Sequence, residues 1–192
     1  VLCIPTIFVS YNGETLDKKA PLLKSVEAIS RQATRIVNLF KDKDIKRVHA
    51  MVGLEQEYFL IDNQMYHERK DLIHTGRTLF GTMPPKSMDL RGHYFGSIPT
   101  RVQAFMEDVD KELWRLGIYA KTEHNEAAPC QFELAPLFNE VNIAVDQNLI
   151  IMDVLKKQAE KHGFACLLHE KPFRGVNGSG KHNNWSLVTD DG

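Results

Sequence analysis

The 192-residue chain carries 24 lysines and arginines against 25 aspartates and glutamates, a formal net charge of −1. That balance, with no long block of one sign, argues against a nucleic-acid or membrane-surface role, and no apolar run approaches the roughly 20 residues of a membrane span. Three scattered cysteines, Cys3, Cys130 and Cys166, suit a reducing, cytoplasmic compartment better than a disulfide framework.

In chain order, Leu22, Leu23, Val26, Ile29, Ala33, Ile36, Val37 and Phe40 recur at helical spacing, with Asp17 and Pro21 as entry signals. A strand-like run follows over 47–61. Residues 62–96 have mixed polarity, the pair Pro84 and Pro85 and no lasting period, so a long excursion with a short hairpin is expected there. A second amphipathic helix after Pro99 uses Val102, Phe105, Met106, Val109, Leu113 and Leu116, and a third runs from Val141 to Lys161. Gly117 and Gly163 are their stop signals. Further strands are expected over 118–122, 131–135, 164–169 and 182–188. One domain is the natural reading of this length. A start without methionine and an end just after the richest motif suggest a piece of a larger protein.

Three strings carry the chemistry. In the first, side chains alternate along a strand, so Glu55 and Glu57 share one face while Leu54, Gln56 and Tyr58 take the other. Two such carboxylates, about 7 Å apart, can each reach a different cation. A solvated edge strand is the plain alternative, but the apolar flanks argue for burial. In the second, Glu126 and Glu133 are separated by a turn at Pro129, and both can face one ion. Taken alone, Glu123, Glu126 and Glu133 could equally be surface acids.

The third string, Gly175 to His182, half-matches a phosphate-binding P-loop but has histidine where Ser or Thr is required, and it feeds a strand rather than a helix. His182, Asn184 and Ser186 then share a face that would suit a nucleotide phosphate. The glycines, with Asn177, would let backbone groups approach a small polar ligand such as an amino acid; a flexible turn is the alternative. Hard divalent cations are the economical partner for four carboxylates and an imidazole in such surroundings. His49, His67, His74, His162 and His169 read as structural, and Cys130 as a packed small residue rather than a nucleophile.

Together the three strings resemble the catalytic domain of the glutamine synthetase family, from about Arg47 to the end, in the order Glu55-x-Glu57, Glu126 with Gln131-x-Glu133, and Asn177-Gly178-Ser179-Gly180-x-His182. The first twenty residues look like the long microbial type III class. The resemblance implies an α+β fold: a largely antiparallel sheet lined with metal ligands and packed by the amphipathic helices. It implies one Mg2+ or Mn2+ on Glu57, Glu126 and Glu133 near glutamate, and a second on Glu55 and His182 near the phosphates of ATP. Asn177, Gly178 and Gly180 would hold substrate, and Phe138, Asn184 and Ser186 the nucleotide. Tyr94 would stand near the ammonium site. The implied reaction is ATP-dependent ligation of ammonia to the γ-carboxylate of glutamate through γ-glutamyl phosphate, in a homo-oligomer of stacked rings. By the same resemblance, residues 1–192 make a partial catalytic domain without the small N-terminal domain, the C-terminal part, a further glutamate ligand or the arginines, and this piece alone is expected to be inactive. A γ-glutamyl-amine ligase of the same superfamily and a non-catalytic structural relative are the alternatives.

Overall fold

The longest strand organises the chain, because different stretches of it recruit different partners. This strand, β1 (Val48–Asp62), belongs to a computed structural model that describes residues 4–40, 44–89 and 92–191; Cys3 lies outside the described residues. Chain contacts divide into two compact units, one of Val1–Val52, Phe138–Asp146 and Asn184–Gly192, the other of Gly53–Leu137 and Gln147–Asn183.

In the first unit, α1 (Lys19–Val37) starts where expected: Asp17 accepts from the Ala20 amide at 2.9 Å, satisfying a donor of the first turn, and from the Phe8 amide at 2.8 Å. Its apolar stripe is only partly covered. Ala33 packs with Ile45, Val48 and Val37, whereas Ile29 and Ile36 are exposed, and Phe40, expected in the helix, lies exposed in the turn after its end at Val37. Helical spacing places a side chain on a face but does not decide whether anything covers that face. The start of β1 pairs antiparallel with a two-residue strand, β4 (Asn139–Glu140), which no sequence period announced.

In the second unit, Gln56 to Phe59 pair antiparallel with β3 (Gln131–Pro136), and Phe59 to Asp62 with β5 (Phe164–Leu167). On the far side of β3 lies β2 (Ala120–Asn125), also antiparallel. The last strand, β6 (Lys181–Thr189), pairs with β1 as well. Alternation along β1 and β3 sends Tyr58, Leu60, Phe132 and Leu134 to one face. There they meet Val102, Phe105, Val109 and Leu113 of α4 (Thr100–Arg115) and Ile151, Val154, Leu155 and Ala159 of α5 (Val141–Lys161). Burial of each large apolar side chain here contributes about 1.5–3 kcal/mol. This is the expected α+β arrangement. Gly117 and Gly163, at φ +74° and +70°, turn the chain out of α4 and α5 as the sequence foretold.

Two boundaries differ from expectation. Residues 62–96 open with two short helices, α2 (Asn63–His67) and α3 (Lys70–Thr75), instead of a hairpin. Asp62 caps the first by accepting from the Gln64 amide at 3.0 Å, and Gly76 at φ +72° ends the second. Asp71 then accepts from Arg69 and from the Leu79 amide, tying down the loop that follows. Strand β2 also starts and ends later than the expected 118–122. The Ile118 amide still closes α4 on the Leu113 carbonyl at 2.9 Å, and pairing with β3 runs on to Asn125. That extension brings His124 into the sheet.

Candidate divalent-metal site

Opposite the helix-packed face, strand register assembles a row. Glu57 of β1 faces Glu133 of β3, and Glu133 faces His124 of β2, so three metal-ligand side chains lie side by side across three strands. Glu55 is two residues from Glu57 on the same face, and Glu126 follows β2 directly. The expected split of β1 is therefore borne out in burial: Leu54, Gln56 and Tyr58 are buried, while Glu55 and Glu57 are half-buried.

Ligand atoms of His124, Glu126 and Glu133 lie within 4.8 Å of one another. His124 Nε2 is 2.8 Å from Glu133 Oε2, and its Nδ1 is 4.0 Å from Glu126 Oε1. Beside them, Glu57 Oε2 accepts from the Gly180 amide at 2.9 Å and from Gln131 Nε2 at 3.4 Å. Glu55 Oε2 contacts His182 Nδ1 at 2.8 Å. Five carboxylates and imidazoles expected from the sequence are thus on one patch of sheet, grouped as Glu126 with Glu133, Glu55 with His182, and Glu57 on the glycine loop.

Clustered carboxylates make the electrostatics of this patch favourable to a cation. Burial, reinforced by the carboxylates of Glu55 and Glu126, pushes the Glu133 carboxyl up to about 7. Burial likewise raises Glu126, with help from Glu57 and Glu55. Like charges set opposite one another in a sheet repel, and hard oxygen donors with imidazole nitrogen are the ligand types of Mg2+, Mn2+ and related ions. The residues therefore fit a divalent cation. Glu123, on the other face of β2, is a different case: burial and the nearby Asp110 carboxylate push it up to about 9, so it is protonated at neutral pH and is not the surface acid the sequence allowed.

The glycine loop is braced at every residue from 178 to 180. Gln131 Nε2 donates to the Gly178 carbonyl at 2.7 Å while its Oε1 accepts from the Ala128 amide at 3.0 Å. Ser179 Oγ donates to the Leu167 carbonyl at 3.1 Å. The Gly180 carbonyl accepts from the Glu57 amide at 3.1 Å and from Gln56 Nε2 at 3.3 Å. As expected, the loop feeds a strand, β6, rather than a P-loop helix. The Asn177 amide lies 3.2 Å from Met88 Sδ. Tyr94 sets its ring edge-on to His124, with centroids 5.6 Å apart, which places it beside the carboxylates. Phe138, Asn184 and Ser186 belong to the first unit; the Phe138 ring is exposed.

Sequence reasoning missed three residues. His124 was overlooked because the strand was ended at Thr122; the spacing His-x-Glu with Glu126 was the available signal. His93, whose Nδ1 lies 2.6 Å from the Glu126 carbonyl, and Gln56, buried and bonded to Asn148 Nδ2 at 3.3 Å, had none. Cys130 is also corrected. It is exposed, not packed, and sits at φ +59° in the turn between Glu126 and Gln131. A non-glycine residue there carries about 1–2 kcal/mol of strain, against about 0.5–1 kcal/mol lost to the freer unfolded chain if glycine replaces it. Cys130→Gly is expected to stabilise by up to ~1 kcal/mol; a lower midpoint in urea would contradict this.

The fold and site thus define an α+β protein whose sheet carries a carboxylate and imidazole cluster of the ligand types that suit a divalent cation. A sequence profile of the glutamine synthetase catalytic domain matches residues 30–192, and one of the type III N-terminal region matches residues 1–25. The chain belongs to the glutamine synthetase family. It is 57% identical over 191 residues to glutamine synthetase of Butyrivibrio fibrisolvens, covering 100% of this chain and 27% of that protein. To the type-3 glutamine synthetase of Dictyostelium discoideum it is 52% identical over 193 residues, with 100% and 26% covered. The chain therefore spans about a quarter of the length of these relatives. Its fold is like that of Plasmodium falciparum glutamine synthetase, with TM-score 0.64 and 18% identity over 94% of this chain and 36% of that one. Among the described residues no helix is long and apolar enough to cross a membrane.

Proposed function

We propose that this chain supplies part of the catalytic centre of an ATP-dependent glutamate–ammonia ligase, which forms glutamine through γ-glutamyl phosphate. The observation that carries the reading is the attachment of Glu57 to the glycine loop: one carboxylate, in register with Glu133, also accepts from the Gly180 amide at 2.9 Å. A loop suited to an amino-acid backbone is thereby held against a cation-binding row. Glu57, Glu126 and Glu133 would hold one Mg2+ or Mn2+, and Glu55 with His182 would contribute to a second. Bound there, such ions neutralise the charge that gathers when a carboxylate attacks a phosphate.

The chain's own residues supply position. Gln131 and Gln56 fix the loop, so Asn177, Gly178 and Gly180 present backbone groups to glutamate at little reorganisation cost. Tyr94, half-exposed beside His124, would flank the entering ammonia. The nucleotide contacts of Phe138, Asn184 and Ser186, the cytoplasmic location and the homo-oligomer are proposed from the family resemblance. Activation as an acyl phosphate is chemically required, because a carboxylate has no good leaving group for an amine to displace.

The test is glutamine formation by the intact protein from glutamate, ammonia and ATP with Mg2+ or Mn2+. Turnover is expected in the parent, with a fall of at least ~10³-fold in Glu57→Gln, in line with losing a transition-state electrostatic contact. Turnover that survives in Glu57→Gln, or an intact protein that makes no glutamine, would overturn the assignment.

A further inference from the structure

The side chain at position 124 carries an inference that rests on the metal-site reading above and extends it. His124 Nδ1 is 2.8 Å from the carbonyl oxygen of Asn125. A carbonyl only accepts, so Nδ1 bears the ring hydrogen, and this tautomer follows from the hydrogen-bond geometry. The other ring nitrogen, Nε2, faces Glu133 Oε2 at 2.8 Å. Two ligand-type atoms that close can share one cation. A divalent ion held there would also offset the neighbouring carboxylates of Glu57 and Glu126.

The arrangement is also the usual one for a ligating histidine, which donates one ring N–H to a backbone carbonyl and so aims the other nitrogen at the metal. Register supports it: His124 lies directly across from Glu133 as Glu133 does from Glu57, so the imidazole continues the ligand row instead of standing outside it. The Tyr94 ring, edge-on at 5.6 Å, flanks the imidazole.

We infer that His124 is a nitrogen ligand to the divalent ion held by Glu126 and Glu133, which makes this shell mixed nitrogen and oxygen rather than all carboxylate. An imidazole donor favours a first-row transition ion over Mg2+, so the site is biased towards Mn2+. Removing His124 lowers Mn2+ affinity about tenfold or more while Mg2+ affinity changes little.

The experiment is pulsed EPR of Mn2+ bound to the intact protein, in a His182→Gln background that removes the imidazole paired with Glu55. Nitrogen modulation on bound Mn2+ is expected to persist in His182→Gln and to vanish in the His124→Gln, His182→Gln double variant. Labelling the His182→Gln protein with 15N-histidine should change the modulation without any substitution at position 124, so a folding defect in the double variant does not obscure the result. Mn2+ bound in His182→Gln with no nitrogen modulation overturns the inference and leaves the carboxylate site standing. Mn2+ binding that is indifferent to Glu126→Gln and Glu133→Gln overturns the carboxylate site, and the inference with it.

Discussion

Glu133→Gln is expected to raise the melting temperature of the metal-free protein at pH 8 and to abolish most of the further rise that Mn2+ gives the parent. Glu133 faces Glu57 across the sheet, and its carboxyl is pushed up to about 7 by burial and then by the Glu55 and Glu126 carboxylates. In the unfolded chain the same group titrates near its ordinary value of 4.5. Between those values the folded state binds more protons than the unfolded state, so metal-free stability falls as pH rises through that window and reaches its floor above it. An isosteric amide removes the charge. At this buried group, with the repulsion shared among neighbouring carboxylates, relief at pH 8 is about 1–2 kcal/mol.

The same charge is what a cation needs. Ions compete with protons for Glu133, so the Mn2+-induced rise in the parent should be much larger at pH 8 than at pH 5.5. Glu133→Gln should weaken Mn2+ binding by about 10²-fold or more, taking the loss of a ligand to cost at least the 10–100-fold of its supporting partners. Thermal scans with and without Mn2+ at the two pH values measure both effects. A lower metal-free melting temperature at pH 8, or an undiminished Mn2+ shift, would count against this account.

Gly178→Ala is expected to cost about 3 kcal/mol or more, at the upper end of overpacking losses, and to abolish glutamate binding with it. A Cβ at Gly178 would lie 1.8 Å from the Glu170 carbonyl oxygen and 2.9 Å from its carbon, both backbone atoms. The loop cannot simply move aside, because the Gly178 carbonyl is held by Gln131 and the next residue by Ser179 Oγ on Leu167. Gly180→Ala is the control: its Cβ would meet the Glu57 Oε2 at 3.3 Å, the end of a side chain that can shift by tenths of an ångström. Urea denaturation should rank Gly178→Ala well below Gly180→Ala. Equal midpoints would show that close approach at 178 is not what the glycine is for.

Most of the fold was legible because its signals are local. The periods of α4 and α5, the glycines that end them and the alternation along β1 each act within a few residues, and each appears where the sequence put it. Where the reading failed, the deciding interaction was remote. Strand β2 reaches Asn125 because β3 pairs with it, β4 is two residues that exist only by pairing with Met51 and Val52, and α2 depends on a cap from Asp62 at the end of β1. Ile29 and Ile36 kept their helical spacing without finding cover, and Phe40 fell beyond the helix end at Val37.

The candidate site divides the same way. By its residue types and their order, the sequence alone marked Glu55, Glu57, Glu126, Glu133 and His182 as the candidate divalent-cation set, because carboxylate pairs at strand spacing and a glycine loop ending in histidine are local patterns. Only the tertiary structure decided which of them are neighbours. Cross-strand register set Glu57 against Glu133 and added His124 to the row, and long-range hydrogen bonds from Gln131 and Gln56 fixed the glycine loop to Glu57. Register is a property of two strands at once: shifting either by one residue turns every side chain to the other face, and no single segment encodes that choice.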